Sequence, residues 1–329
     1  MIRPRAFGRI LAIYGHRGWS LDRSEFLDSP PKENKVSEST AKSRVAVLGL
    51  GIMGSGMAGR LLSANFPLTV YNRNAEKTEP FISAGAIRAN SPREAASRAE
   101  IVISMVADEN ASRAIWFGED GALAGVASGA ILVEASTLTV SWICELAAAA
   151  TQRGCELLDA PVTGTKPHAA AGELLFLVGG SAEALSKVRP ALAVMSRDVI
   201  HLGPTGSGAL LKLINNFLCG VQAASLAEAV SLIGKSSLDR EKALSILISG
   251  APGSPLLKAI SARATARDFT PNFLLRLMAK DLSYAGAEGR RRGAELRTAA
   301  TAEGIFRQAI AKGYGDQDFA AVIESVQSS

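Results

Sequence analysis

Cysteine, histidine and tryptophan are scarce in this chain of 329 residues, three of each, and aromatic residues make up only 5% of it. Cys144, Cys155 and Cys219 form no Cys-x-x-Cys pair and sit in apolar or helical surroundings that suit a reducing compartment. Neither a disulfide framework nor a metal site is expected. A long apolar run is missing too. The most apolar stretch, residues 210–230, is broken by Lys212, Asn215, Asn216, Gln222 and Glu228. That is too many polar groups for a span of about 20 apolar residues, so a soluble protein is expected. The first 20 residues hold Arg3, Arg5, Arg9 and Arg17 and no acid, and Ser/Pro/Glu/Lys-rich sequence follows over residues 28–43. The apolar run there, residues 10–14, is shorter than the roughly 7–15 residues of a secretory signal. Residues 1–43 therefore read as a disordered extension of a cytoplasmic protein, with organelle targeting left open. Eight Lys/Arg against five Asp/Glu put three of the chain's five net positive charges in this segment. The body is nearly balanced, and no nucleic-acid partner is expected. Its densest basic run, Arg290 to Arg292, reads as the solvated face of a helix.

What is present is a globular composition, 47% hydrophobic and 20% charged with 31 glycines, on a chain long enough for about two domains. Short apolar runs at 44–48, 68–71, 101–106, 131–133 and 156–158 alternate with alanine-rich helical stretches. That alternation predicts an α/β domain with a parallel sheet covered on both faces. After further runs at 174–178 and 198–202 the pattern changes, and from Ser207 onward only helical periodicity is found. The expected organisation is an extension (1–43), a Rossmann-like domain (44–205) and an all-α domain (206–329).

The first run enters Gly49-Leu-Gly51-Ile-Met-Gly54, a Gly-x-Gly-x-x-Gly turn between strand and helix. In a dinucleotide site Gly49 makes the turn, Gly51 lets backbone approach the pyrophosphate and Gly54 lets helix pack on strand. The Asp or Glu that usually follows about 20 residues on, to bind the ribose of NAD, is missing. Asn72 stands there, followed by Arg73, Asn74 and Lys77, donors and cations suited to a 2′-phosphate. NADP(H) is the expected cofactor, with NAD(H) as the alternative.

A glycine-rich entry at 205–208 opens a long apolar helix on which Lys212 and Asn216 lie at i and i+4 and share a face. On spacing alone such a lysine is either solvated or catalytic.

Four segments resemble the motifs of the β-hydroxyacid dehydrogenases, a family that includes 3-hydroxyisobutyrate dehydrogenase, tartronate semialdehyde reductase and glyoxylate/succinic semialdehyde reductase. They are Val47-Leu-Gly-Leu-Gly-Ile-Met-Gly54 with Met57-Ala58, then Asp159-Ala-Pro-Val-Thr163-Gly164-Thr165, residues 208–216, and Phe273 with Met278-Ala-Lys280-Asp281-Leu282. The resemblance implies that Lys212 is the general acid in carbonyl reduction and the base in the reverse direction. It further implies that Thr163, Gly164 and Asn216 hold the substrate carboxylate, that Phe273 walls the pocket, and that Asp281 closes on the substrate. Gly49, Gly51, Ile52, Met53, Gly54, Val106, Thr137 and Lys280 would contact the cofactor, Thr137 between nicotinamide and substrate. Two departures stand out: Thr163-Gly164-Thr165 where the family usually has Ser-Gly-Gly, and Arg297 where relatives often have proline. His16, His168 and His201 match none of the implied roles and read as loop or strand-end residues.

The expected activity is reversible NADPH-dependent reduction of a short aldehyde acid, glyoxylate or succinic semialdehyde being favoured by Asn72 and Arg73. NAD-dependent 3-hydroxyisobutyrate oxidation is the nearest rival, and a non-enzymatic binding protein on the same scaffold is the rival of another class. The resemblance also implies a homodimer or homotetramer joined through the helical domains.

Overall fold

The computed structural model describes residues 42–327, so the extension expected over 1–43 lies, up to residue 41, outside the described residues. Its boundary shifts slightly. The Lys42 ammonium donates to the Ala64 carbonyl and stands 5.1 Å from the Phe66 ring centroid, which makes Lys42 part of the folded body.

The α/β part opens with β1 (Val45–Leu48), α1 (Ile52–Ser63), β2 (Leu68–Tyr71), α2 (Glu79–Ser83), β3 (Ile87–Arg88) and α3 (Pro92–Ser97). It continues through β4 (Ile101–Ser104), α4 (Glu109–Trp116), α5 (Ala122–Gly125), β5 (Ile131–Glu134), α6 (Val140–Gln152) and β6 (Glu156–Asp159). A closing unit follows: β7 (Val162–Thr163), α7 (Lys166–Ala171), β8 (Leu174–Gly179), α8 (Ala182–Ala193) and β9 (Ser196–Gly203). Strands β3-β2-β1-β4-β5-β6 pair in parallel in that order. This is the doubly wound arrangement, in which the order reverses between β1 and β4 and ligands bind beyond the strands' carboxyl ends. The sheet is not parallel throughout. Strand β8 runs antiparallel to β6 and β7 and parallel to β9. The cause is the two-residue β7, which returns through α7 without a full crossover.

Residues 45–48, 101–104 and 131–134 are buried throughout, because helices cover both faces of the sheet. One face packs Met57, Leu61 and Phe176 with the α1 and α8 side chains, and the other packs Trp116, Trp142 and Leu146. The helical part comprises α9 (Ser207–Gly234), α10 (Arg240–Ser249), α11 (Pro255–Ala266), α12 (Leu275–Arg291), α13 (Arg297–Ala309) and α14 (Val322–Gln327). Among the described residues only α9 is long and apolar enough, by length and composition, to cross a membrane. Its buried residues Ala223, Ala227 and Val230 instead share a core with Met278, Leu282 and Phe306 of α12 and α13. Arg291 at the end of α12 and Arg292 just past it pair with Glu288 at 2.8 and 2.5 Å, so two of the three cations of this basic run are paired.

Candidate active site

The glycine turn distinguishes glycines required by the protein from one that is not. At Gly49, φ is +101° and an added Cβ would lie 2.4 Å from the Met105 carbonyl oxygen; at Gly54 it would lie 2.0 Å from that of Gly49. At Gly51 the backbone is ordinary (φ −75°) and an added Cβ would meet no atom within 4 Å. The fold has no use for this glycine, but a pyrophosphate laid on the turn would. Helix α1 starts there with no side-chain cap and no acid in its first turn, so the amides around Ile52 and Met53 are ready for an anion. The residues present fit a dinucleotide.

Asn72 proves to be a brace for this turn. Its Oδ1 accepts the Leu50 N–H at 2.9 Å and its Nδ2 donates to Asn74 O at 2.9 Å. Asn74 in turn caps the following turn by accepting the Glu76 N–H at 3.0 Å. Of the four residues expected at a 2′-phosphate, Arg73 and Lys77 alone keep their side chains exposed and unpaired among the described residues.

The loops after β4 and β5 are fixed by a buried network that spacing did not reveal. Glu134, fully buried, accepts from Ser112 Oγ (2.7 Å), Trp116 Nε1 (2.8 Å) and the Ser136 N–H (3.0 Å). Trp142 Nε1 donates to Ser112 Oγ at 2.9 Å, and Ser136 Oγ accepts the Val106 N–H at 2.8 Å. Val106 and Thr137 are thereby positioned relative to each other at the strands' carboxyl ends. A buried acid closing a strand just before Ser-Thr is the signal that could have been read.

Helix α9 is anchored from a distance. It begins at Gly206 (φ +93°) with no cap of its own, and the carboxylate of Asp159, closing β6, accepts the N–H groups of Gly206 and Ala209 at 2.8 Å each. An added Cβ at Gly208 would lie 2.2 Å from Leu177 O, so glycine lets the first turn press on β8. Burial pushes the Asp159 carboxyl above its usual range although the two amides hold it down. The strand leading to Thr163 and Gly164 is thus tied to the helix carrying Lys212.

Lys212 is half-buried, and its amine has no hydrogen bond or ion pair among the described residues. Burial pushes its pKa down, the nearby Asp281 carboxylate opposes this, and the Lys280 charge adds to it. Asn216, 4% exposed, donates from Nδ2 to Asp281 Oδ2 at 2.5 Å and accepts from Asn215 Nδ2 at 2.9 Å. Asp281 Oδ1 lies 2.9 Å from Lys280 Nζ but has no aligned hydrogen-bond donor. Lys280 Nζ donates to Thr137 O at 2.7 Å, reaching from α12 to the β5 loop. Asn216, Asp281, Lys280 and Thr137 are therefore one connected group, and the unpaired Lys212 amine lies within the field of its two charges.

The remaining expected residues make other contacts. Gly164 has φ +133°, and an added Cβ would lie 2.9 Å from Leu174 Cδ2, so glycine is required beside the half-buried Thr163. The departure at Thr165 has a local use: its hydroxyl stands 2.7 Å, and its N–H 3.2 Å, from His168 Nδ1, forming a capping box on α7. Phe273 packs edge-on against Phe319 with centroids 5.8 Å apart, and Asp318 accepts its N–H at 3.1 Å, which ties it to the helical core. Arg297 opens α13, and His201 hydrogen-bonds Gly180 O from β9 at 2.8 Å. A separate cleft of about 730 Å³ between α10 and α11, lined by Arg240, Leu244 and Lys258, holds none of these residues.

Family models account for both parts. The NAD binding domain of 6-phosphogluconate dehydrogenase matches residues 44–203, and the NAD-binding domain of NADP-dependent 3-hydroxyisobutyrate dehydrogenase matches residues 206–326. The chain belongs to the β-hydroxyacid dehydrogenase family, NAD(P)-dependent enzymes acting on CH–OH groups. Glyoxylate/succinic semialdehyde reductase 1 of Arabidopsis thaliana is 33% identical over 285 residues, 87% of this chain and 99% of that protein. The NAD-dependent L-serine dehydrogenase of Pseudomonas aeruginosa is 34% identical over 286 residues, 85% and 96%. The 3-hydroxyisobutyrate dehydrogenase of Mycobacterium tuberculosis, solved with L-serine, aligns with a TM-score of 0.79 at 29% identity over 87% of this chain and 99% of that one.

Proposed function

We propose that the protein reversibly reduces a short aldehyde acid, such as glyoxylate or succinic semialdehyde, to its hydroxyacid, with NADPH preferred over NADH. The observation that carries this reading is the free, half-buried amine of Lys212 beside the Asn216–Asp281 pair. A nicotinamide coenzyme whose pyrophosphate is held on the glycine turn would supply hydride to the carbonyl carbon. Lys212 then has one task, to give a proton to the carbonyl oxygen as charge builds there, and desolvation makes that proton easier to release. Thr163, Gly164 and Asn216 orient the carboxylate of the same molecule, so that its aldehyde meets Lys212. The preference for NADPH rests on Arg73 and Lys77, unpaired at the end of β2 where an acid would serve NAD.

The rival, NAD-dependent oxidation of a 3-hydroxyacid, is favoured by one observation: Asn72 braces the turn, which leaves fewer donors for a 2′-phosphate than the sequence offered. Exposed Leu232, Leu238 and Ile246 on the helical part support a homo-oligomer joined there. Coenzyme consumption or formation, followed at 340 nm with NADPH, NADH and their oxidised forms against aldehyde acids and 3-hydroxyacids, tests both readings. Fastest turnover with an aldehyde acid and NADPH is expected. Fastest turnover with a 3-hydroxyacid and NAD would replace it by the rival, and none with any pair would overturn both substrate readings.

A further inference from the structure

Tyr284 lies one turn beyond Lys280 on α12, and both reach the α/β part. Its Oη accepts the N–H of Glu109, the first residue of α4, at 3.3 Å. The opening amides of a helix lack partners within it. Here Asp108 Oδ1 takes the Ala111 N–H at 2.8 Å, while the first amide is capped from the other domain. The Tyr284 ring also carries the Lys280 ammonium 4.8 Å from its centroid, and that ammonium holds Thr137 O. Successive turns of α12 thus grip two loops, one after β4 and one after β5, at the carboxyl ends of neighbouring strands. A doubly wound sheet places its dinucleotide along those ends.

Burial, with the carboxylates of Glu109, Asp108 and Asp281 nearby, pushes the phenol's pKa up, so the hydroxyl stays neutral. Glu109's own carboxylate is engaged elsewhere, accepting Thr139 Oγ1 at 2.7 Å and pairing with Arg113 at 3.0 Å. The α4 entry is therefore rigid on its own side, and Tyr284 meets a fixed amide.

We propose that Tyr284 is a positioning residue that straps the helical part onto the α4 entry and so slows release of the nicotinamide coenzyme. This rests on the coenzyme binding proposed above. The test measures release of the reduced coenzyme that wild type binds more tightly, by stopped-flow fluorescence after displacement with excess oxidised coenzyme. Tyr284→Phe keeps the ring, its packing and the cation–π contact and removes only the oxygen. Release should quicken about two- to tenfold, the span of one net hydrogen bond. Glu109→Pro removes the donor from the other side, and with it the carboxylate bonded to Thr139 and Arg113, so the effect of Tyr284→Phe is read against the Glu109→Pro protein itself; proline is tolerated at a helix's first position, and Asp108 already has the extended backbone required before proline (φ −156°, ψ 177°). In that background Tyr284→Phe should have no further effect on release. Unchanged release in the single variant, or an equal acceleration in both backgrounds, overturns the strap, and the single variant decides alone should Glu109→Pro not fold. Wild type that binds no coenzyme at all would instead remove the proposed function itself.

Discussion

Lys212 must hold a proton until the carbonyl oxygen needs it and then part with it, two demands that a solvated lysine near pKa 10.4 meets poorly. The structure divides them between burial, which lowers the pKa, and Asp281, which raises it again. Lys212→Ala should lower the turnover number at least about 10²-fold while leaving coenzyme affinity nearly intact, and Lys212→Arg should be almost as damaging because guanidinium keeps its proton. Retention of more than about a tenth of wild-type turnover in Lys212→Ala, with chemistry rate-limiting, would sink the assignment. The pH dependence has a defined sign. Reduction needs the ammonium, so its kcat/KM falls as pH rises through the depressed pKa, whereas oxidation rises over the same window. Asp281→Asn removes the charge that holds the pKa up, so both limbs should move to lower pH. At the coenzyme, Gly51→Ala places a methyl where no protein atom lies, so the melting temperature should stay within about 1 °C while coenzyme affinity drops tenfold or more. Gly54→Ala should instead melt early, because its Cβ would meet the Gly49 carbonyl. Arg73→Ala should weaken NADPH roughly ten- to hundredfold and NADH little, and equal losses for both would remove the NADP preference.

At the scale of elements, α9 depends on an acid 47 residues upstream of the first amide it caps. Asp159→Ala would leave the buried N–H groups of Gly206 and Ala209 without acceptors, at about 1–3 kcal/mol each, so a loss of at least about 2 kcal/mol is expected in urea unfolding. Asp159→Asn keeps one acceptor oxygen and should lose less; an alanine variant within about 0.5 kcal/mol of wild type would show that α9 needs no such anchor. Such anchoring was not readable in advance, whereas the elements themselves largely were. The glycine turn and the strands at 45–48, 68–71 and 131–134 were legible because strand, turn and helix are local patterns. The antiparallel β7 was not, since two residues carry no period. Nor were the bonds from Glu134 to Trp116, Ser112 and Ser136, or the reach of Tyr284 to Glu109 across 175 residues, because nothing in a spacing rule connects them. The sequence showed Lys212 and Asn216 on one face, but the partner of Asn216, Asp281, lies 65 residues away.

For the whole molecule the question is where the body begins. Both family models start no earlier than residue 44, and β1 is already flanked by β2 and β4 along its whole length. A chain lacking residues 1–41 should therefore keep wild-type turnover and thermal midpoint. Lys42 belongs with the body: its ammonium caps the Ala64 carbonyl at the end of α1, a favourable place for a cation, and lies over Phe66. The contact is exposed, so losing it costs only about 0.5–1 kcal/mol. On a body of this size that lowers the midpoint by roughly 1–4 °C. Two truncations that differ by one residue thus make a sensitive pair. The protein starting at Lys42 should melt with the full-length chain, and the one starting at Ser43 should melt slightly earlier, both with unchanged turnover. A large loss of turnover or of thermal midpoint already in the longer of the two would show that residues 1–41 pack on the body and help to shape its site.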